Sequence, residues 1–493
     1  MKIYLFIILS VFFVLPSYSQ TISEYIDSYA KTFETESYKS FTQIIKGKAS
    51  ISDYEKQYIL DNEIQNELNT RFIYTDLKEC LLIALNKNFD IKIADANKDE
   101  AYWLNKNAQF LLLPNAYYNF NIMNLGGNFL VGGIVATTAH EVAIQSMVGV
   151  EWSTIEQGRY FFYLAQTKNM LKANIAELEF SKDEIILKTV QAYYDVLGFK
   201  MEVEVQKTNL FDRVEQLKYT KARFDIGLGT FYDVKRAQAE VARAQQTYNS
   251  TINSLRLSQA NLANILGVNV LDAVYPFEIS VDKRELISSD FSIEELYKQA
   301  LVSREDIKAK IAEVNTYRAI RSSNYTDIIP SIAIRYQNGY VGTVRRGMFP
   351  NNTISLDVRT SLGKNLLLGT ITQIKADSAV VKQKKLELIN LKRKVKEDII
   401  NSYYESEKAL KNIKASQIEV EAADISLELS LANMKAGDAT FIDVIASQNL
   451  KLQANINLIK NMIEYNKVQT KLLFDIGLIS PKNVLNGYVS KYY

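Results

Sequence analysis

The chain has 493 residues, 47% of them hydrophobic and 23% charged, with a formal net charge of +2. One cysteine and one histidine exclude an intrachain disulfide and a Cys/His metal cluster. The near-neutral balance, without a long basic run, speaks against nucleic acid as a partner.

The first residues read as a secretory signal peptide over 1–19. Lys2 supplies a positive start, Ile3 to Val14 an apolar run, and Pro16 a break. Ser17-Tyr18-Ser19 then offers small residues for cleavage after Ser19. The run is too short to span about 30 Å of hydrocarbon comfortably. No stretch of about 20 apolar residues follows it, so no helix is expected to cross a bilayer. Residues 20–74 form an N-terminal extension of mixed charge with several tyrosines.

A first repeat is expected over 75–267. It opens with a helical stretch from about Leu77 to Leu113. Cys80 sits there in an apolar run, Cys80-Leu81-Leu82-Ile83-Ala84-Leu85, and reads as a small core residue. Pro114 stops the stretch, because the residue before a proline avoids the helical region. Two short alternating strands follow. Tyr118, Phe120 and Ile122 share one face of the first, and Val148, Val150 and Trp152 one face of the second. The lone His140 lies between these segments and is a poor basis for a metal ligand or catalytic base. From about Arg159 to Phe224 the chain has no proline and one glycine, Gly198, so one very long helix is predicted. A glycine turn leads to a return helix in which Ala237, Ala239, Ala242 and Ala244 would let a neighbour approach closely.

Residues 268–291, with Pro276, link this unit to a second repeat over 292–480, and 481–493 form a C-terminal tail. The second repeat has the same order. A helical stretch from about Ile293 to Ile328 ends before Pro330. Two short strands place Ile332, Ile334 and Tyr336, then Ile354, Leu356 and Val358, on one face. A long helix, a turn and a return helix follow. At a shift of 210, Tyr193-Tyr194 matches Tyr403-Tyr404, Asp233-Val234 matches Asp443-Val444, and Gly267 matches Gly477. At a shift of 216, Asp90-Ile91-Lys92 matches Asp306-Ile307-Lys308. A fixed period of this kind marks a duplicated structural unit. In all four strands one face is apolar and the other polar, as in a barrel wall between lipid and a wet lumen. A soluble sheet with one wet face would show the same alternation.

Both turns share a design. Gly227 and Gly437 fit the left-handed position that ends a helix. Thr230 and Thr440 fit the N-cap of the next helix, with Asp233 and Asp443 three residues later. The carboxylates are thus expected as caps, whatever else they do.

The repeated glycine–threonine–aspartate turn, the Ala-Leu…Asp-Ile opening and the proline before each strand pair resemble the TolC-like outer-membrane efflux family. The resemblance covers roughly residues 75–480. It implies a mainly α fold with a small β part. In a homotrimer, each chain would give four strands to a twelve-stranded β-barrel, and its long antiparallel helices would build a periplasmic α-barrel. It implies a passive conduit in the outer membrane, with no catalytic step and no cofactor. An inner-membrane pump and a periplasmic adaptor would deliver the cargo. Val148, Val150, Trp152, Ile332, Ile334, Ile354, Leu356 and Val358 would face outer-membrane lipid. Arg223, Gly227 and Thr230, with Gly437 and Thr440, would meet the adaptor at the periplasmic tip. In the second tip Asn433 replaces the family's arginine. The family's closed entrance can be held by a tyrosine, an arginine and two aspartates. Here those places hold Met434, Ala439, Asp443 and Ala446, so a ring of Asp443 carboxylates is the expected entrance feature.

A different class also fits long helices: a periplasmic coiled-coil adaptor or scaffold without a pore. Four alternating strands in two equivalent places speak against it. An enzyme fits least, since no nucleophile elbow, phosphate loop or Glu-x-x-His pair is present.

Overall fold

The first described helices show how a single residue divides a helix. In the computed structural model, residues 72–487 are described except 132–133, 228, 279, 289–290, 329–330, 360–367, 437 and 439–440; side chains at 72, 125–141, 154–157, 327–328, 331, 359, 435 and 441 are likewise not described. The expected signal peptide, the extension up to residue 71, Gly437, Thr440 and the side chain of His140 therefore lie outside the described residues.

A short strand β1 (Phe72–Thr75) precedes α1 (Leu77–Lys87) and α2 (Phe89–Phe110). The expected single helical stretch is thus two helices. Asn88 has extended ψ, and its Oδ1 accepts from the N–H groups of Asp90 and Ile91 at 2.8 and 3.3 Å. A side chain that caps a new helix this way ends the old one. The second stretch splits likewise into α5 (Ile293–Ser303) and α6 (Glu305–Ser323), with Arg304 extended between them. A 3-10 turn (Asn324–Ile328) follows. Apolar periodicity runs through both breaks, which hides them in the sequence.

The strands are longer than the short ones expected: β2 (Asn115–Val131), β3 (Ile134–Ser153), β5 (Ser331–Thr343) and β6 (Gly347–Arg359). They form one antiparallel sheet in the order β2-β3-β5-β6, so β2 and β6 are its edges. A four-residue strand, β4 (Ala273–Pro276), lies in the linker.

α3 (Thr154–Asp225) has 72 residues and α7 (Leu368–Ala436) 69. At 1.5 Å per residue each is on the order of 100 Å long. Each packs against its return helix, α4 (Phe231–Leu266) or α8 (Phe441–Asp475), and α3 also packs against α8 and α6. Gly198 lets α3 and α8 touch, for a Cβ there would lie 2.5 Å from Ile463 Cδ1. Of the alanines singled out in α4, Ala237 and Ala244 are buried and Ala239 and Ala242 exposed. No described helix is long and apolar enough to cross a membrane.

One apolar core gathers where α1 meets the middle of α3, α5 meets the middle of α7, and the ends of α4 and α8 join them. Leu81, Val190, Tyr193, Leu262, Ile399 and Leu473 are all buried in it. Each such side chain contributes about 1.5–3 kcal/mol by leaving water. Cys80 belongs to the same core, and burial pushes its thiol up to about 12. The linker packs there too, through Val274, Val281, Leu286 and Ile287. Lys200 Nζ donates to the carbonyls of Pro276 and Glu278 at 2.9 and 3.1 Å. The Gln469 side-chain oxygen accepts from the N–H groups of Leu286 and Ile287. A final helix, α9 (Pro481–Asn486), buries Val484 within the expected tail.

Candidate functional site

Alternation gives the sheet two unlike faces, and the register shows which residues share them. Val150 pairs with Tyr336 and Trp152 with Ile334; Ile334 pairs with Leu356 and Ile332 with Val358. Tyr118 pairs with Val148. These residues, with Phe120, Ile122 and Ile354, make one continuous apolar face. Val148, Val150, Trp152, Ile332, Ile334, Ile354, Leu356 and Val358 are each between 39% and 78% exposed. A soluble monomer rarely leaves so large an apolar patch open to water.

The opposite face is polar. Arg335 forks onto Glu151, with Nε 2.9 Å from Oε2 and Nη2 donating to Oε1 at 3.0 Å. Its Nη1 donates to Asp357 Oδ2 at 2.8 Å on the next strand. One row further along, Gln337 Nε2 donates to the Tyr117 hydroxyl at 2.6 Å. Gly149 makes room for that ring, since a Cβ there would lie 2.7 Å from Tyr117 Cζ. The charges of this face were visible in the alternation. The Arg335 bridge across three strands was not, because it needs the register.

At the far end of α3, the first tip is built as its residues dictate. Gly227 has φ +75 and its N–H donates to the Phe224 carbonyl at 2.9 Å. Thr230 caps α4: its Oγ1 accepts from the Asp233 N–H at 3.2 Å, and Asp233 Oδ2 accepts from the Thr230 N–H at 3.1 Å. The Thr230 hydroxyl also donates to Asp233 Oδ2 at 2.6 Å, and this bond with that from the Thr230 N–H holds the Asp233 carboxyl below the usual carboxylate range. Arg223 is exposed and its guanidinium lies over the Tyr219 ring at 5.9 Å. Phe224, Ile226, Phe231 and Tyr232 are exposed beside it. Asp443 is exposed in the first turn of α8, with Met434 half-buried and Ala446 exposed nearby.

A link between the hairpins was missed in the sequence. The buried Arg213 of α3 donates to Gln448 Oε1 at 3.0 Å and Asn449 Oδ1 at 2.7 Å, both on α8. Residues more than 200 positions apart carry no local signal of such a contact. Among the described residues no group of acids, cysteine or histidine could hold a metal ion.

Solved outer-membrane channels share this fold. The Campylobacter jejuni CmeC outer membrane channel aligns with a TM-score of 0.71 over 81% of this chain and 85% of its own, at 15% identity. The chain belongs to the outer membrane efflux protein family, whose model matches residues 157–268 and 296–473. Outer membrane efflux protein BepC of Brucella suis is 24% identical over 60% of this chain, and the chain spans 64% of BepC's length. Outer membrane protein TolC of Vibrio cholerae is 25% identical over 64% of this chain and 73% of its own.

Proposed function

We propose that the chain is the channel subunit of a tripartite export system. Three copies form a passive conduit in the outer membrane, and an inner-membrane pump feeds it through a periplasmic adaptor. The exposed apolar face of the sheet carries this reading. In lipid, the bare edges of β2 and β6 would leave N–H and C=O groups unpaired, at several kcal/mol each. Pairing β6 of one copy with β2 of the next removes the edges, and three copies give a twelve-stranded barrel of the kind lipid accepts.

The two halves act as structural repeats, each giving two strands and one long hairpin. The long helices continue the pore through the periplasm as an α-barrel. Val148, Val150, Trp152 and the apolar residues of β5 and β6 face lipid, while the Arg335–Glu151–Asp357 bridge faces the lumen. Arg223, Gly227, Thr230, Gly437 and Thr440 meet the adaptor at the tip. A conduit makes and breaks no covalent bond, so the reading assigns no catalytic residue and no cofactor. Membership of an outer-membrane efflux family gives no support to a pore-free scaffold.

Three Asp443 carboxylates at the narrow entrance would attract cations and disfavour anions. Single-channel recording in planar bilayers tests this. The wild type is expected to conduct with cation preference, and Asp443→Asn to lower that preference and weaken block by divalent cations. An unchanged selectivity would leave Asp443 as a helix cap alone, and a protein that never conducts would remove the channel reading.

A further inference from the structure

Each half bends once between its two opening helices, and each bend rests on the end of a return helix. In the first, Asn88 Nδ2 donates to the Ile265 carbonyl at 2.8 Å. Gly267, at φ +67, lies so close that a Cβ would be 2.6 Å from the Lys87 carbonyl oxygen. In the second, Arg304 holds the place of Asn88, 216 residues on, and its Nη1 donates to the Asp475 carbonyl at 3.0 Å. Asp475 holds the place of Ile265, 210 residues on. Gly477, at φ +71, puts a Cβ 2.8 Å from the Arg304 nitrogen. The backbone joint is the same in both. The chemistry differs: the second joint carries ionisable side chains where the first has an amide and an isoleucine.

Charge does not balance at the second joint. The buried Arg304 donates from Nε and Nη2 to both oxygens of Asp306, at 3.0 and 2.7 Å, which already makes a neutral pair. Asp475 is a second carboxyl, and a buried one. Its Oδ1 lies 4.0 Å from Arg304 Nη1, and its Oδ2 has no hydrogen-bond partner among the described residues. Ser402 faces it from α7, but that hydroxyl also donates to the carbonyls of Asp398 and Ile399. Asp398 on α7 repels an Asp475 charge, and Lys471 on its own helix attracts it. From α3, Asp183 faces Arg304, with Glu179 and Glu305 adding negative charge. Arg304 thus serves the half-buried Asp306 as well as the buried Asp475, with Lys471 the other cation drawn to Asp475, and a buried charge without a close partner is costly.

We propose that Asp475 is a proton-binding site that tightens the second joint at acidic pH and loosens it at neutral pH, while the first joint is indifferent to pH. Uptake of one proton leaves the cluster neutral, with Arg304 paired to Asp306 alone. Burial pushes the Asp475 carboxyl up to about 6, and burial likewise pushes Asp183 up to about 7. An unfolded aspartate titrates near ~3.9. Between that value and about 6 the folded joint binds more protons than the unfolded one, so its stability falls as pH rises through this window. The proposal does not depend on the channel reading.

Hydrogen exchange of the full chain in detergent tests it, at about pH 5 and about pH 7.5 and with intrinsic rates corrected. Peptides over 300–309 and 472–478 are expected to exchange about tenfold slower at the lower pH. Those over 84–93 and 262–268 should not change. Asp475→Asn removes that charge at every pH, so in an Asp183→Asn background, which silences the neighbouring carboxyl, it should show the slow exchange at both. Equal protection of the second joint at both pH values in the wild type would overturn the proposal, and so would a pH dependence that survives Asp475→Asn in an Asp183→Asn background. If that variant does not fold, the wild-type contrast between the two joints still decides.

Discussion

Asn88 and Arg304 stand at the same place in their halves and hold the same backbone bend by different means. Asn88 works locally: it caps α2 and gives one hydrogen bond to α4. Arg304 makes no side-chain cap and instead gathers Asp306, the Asp475 carbonyl and the Phe474 ring, 5.6 Å from its guanidinium. One geometry therefore tolerates both a neutral and an ionic solution. The ionic one is the more exposed to loss of a partner, since what remains is a buried charge.

That difference sets the order of expected effects. Arg304→Ala should cost the most, about 3–5 kcal/mol, because it strands Asp306 and Asp475. Asn88→Ala should cost about 1–3 kcal/mol, for a lost cap and a partly buried carbonyl left without its side-chain donor. Thermal unfolding of the two variants side by side gives the contrast. Equal losses would mean that the ionic cluster adds nothing to the joint.

The αL glycines should break the contrast rather than sharpen it. Gly267→Ala and Gly477→Ala meet the same left-handed backbone and the same crowding, so both should cost upward of about 1–2 kcal/mol and by similar amounts. Thr230→Ala at the first tip is the smallest change, about 1 kcal/mol for one cap. It should appear as faster exchange over residues 230–236, with the joints unaffected.

Much of the fold was legible because its signals are periodic. Alternation placed Val148, Val150, Trp152, Ile354, Leu356 and Val358 together, and the sheet shows them on one exposed face. The scarcity of proline and glycine from Arg159 to Phe224 announced α3. Gly227, Thr230 and Asp233 announced the first turn, since each has a specific backbone duty there. What stayed hidden depends on distance or on single residues. The breaks at Asn88 and Arg304 leave apolar periodicity intact on both sides. The Arg335 bridge follows from a register that pairs residues far apart in the chain, and the bond from Arg213 to Asn449 has no local trace. The linker read as a spacer, yet Val274 and Leu286 are buried in the core.

The central claim is a barrel completed by three copies, and native mass spectrometry of the detergent-extracted protein from outer-membrane fractions tests it most directly. Particles of three chains would agree with β6 of each copy closing on β2 of the next. A monomer recovered from the soluble fraction would contradict the account, because the apolar face of the sheet would then have no lipid to cover it.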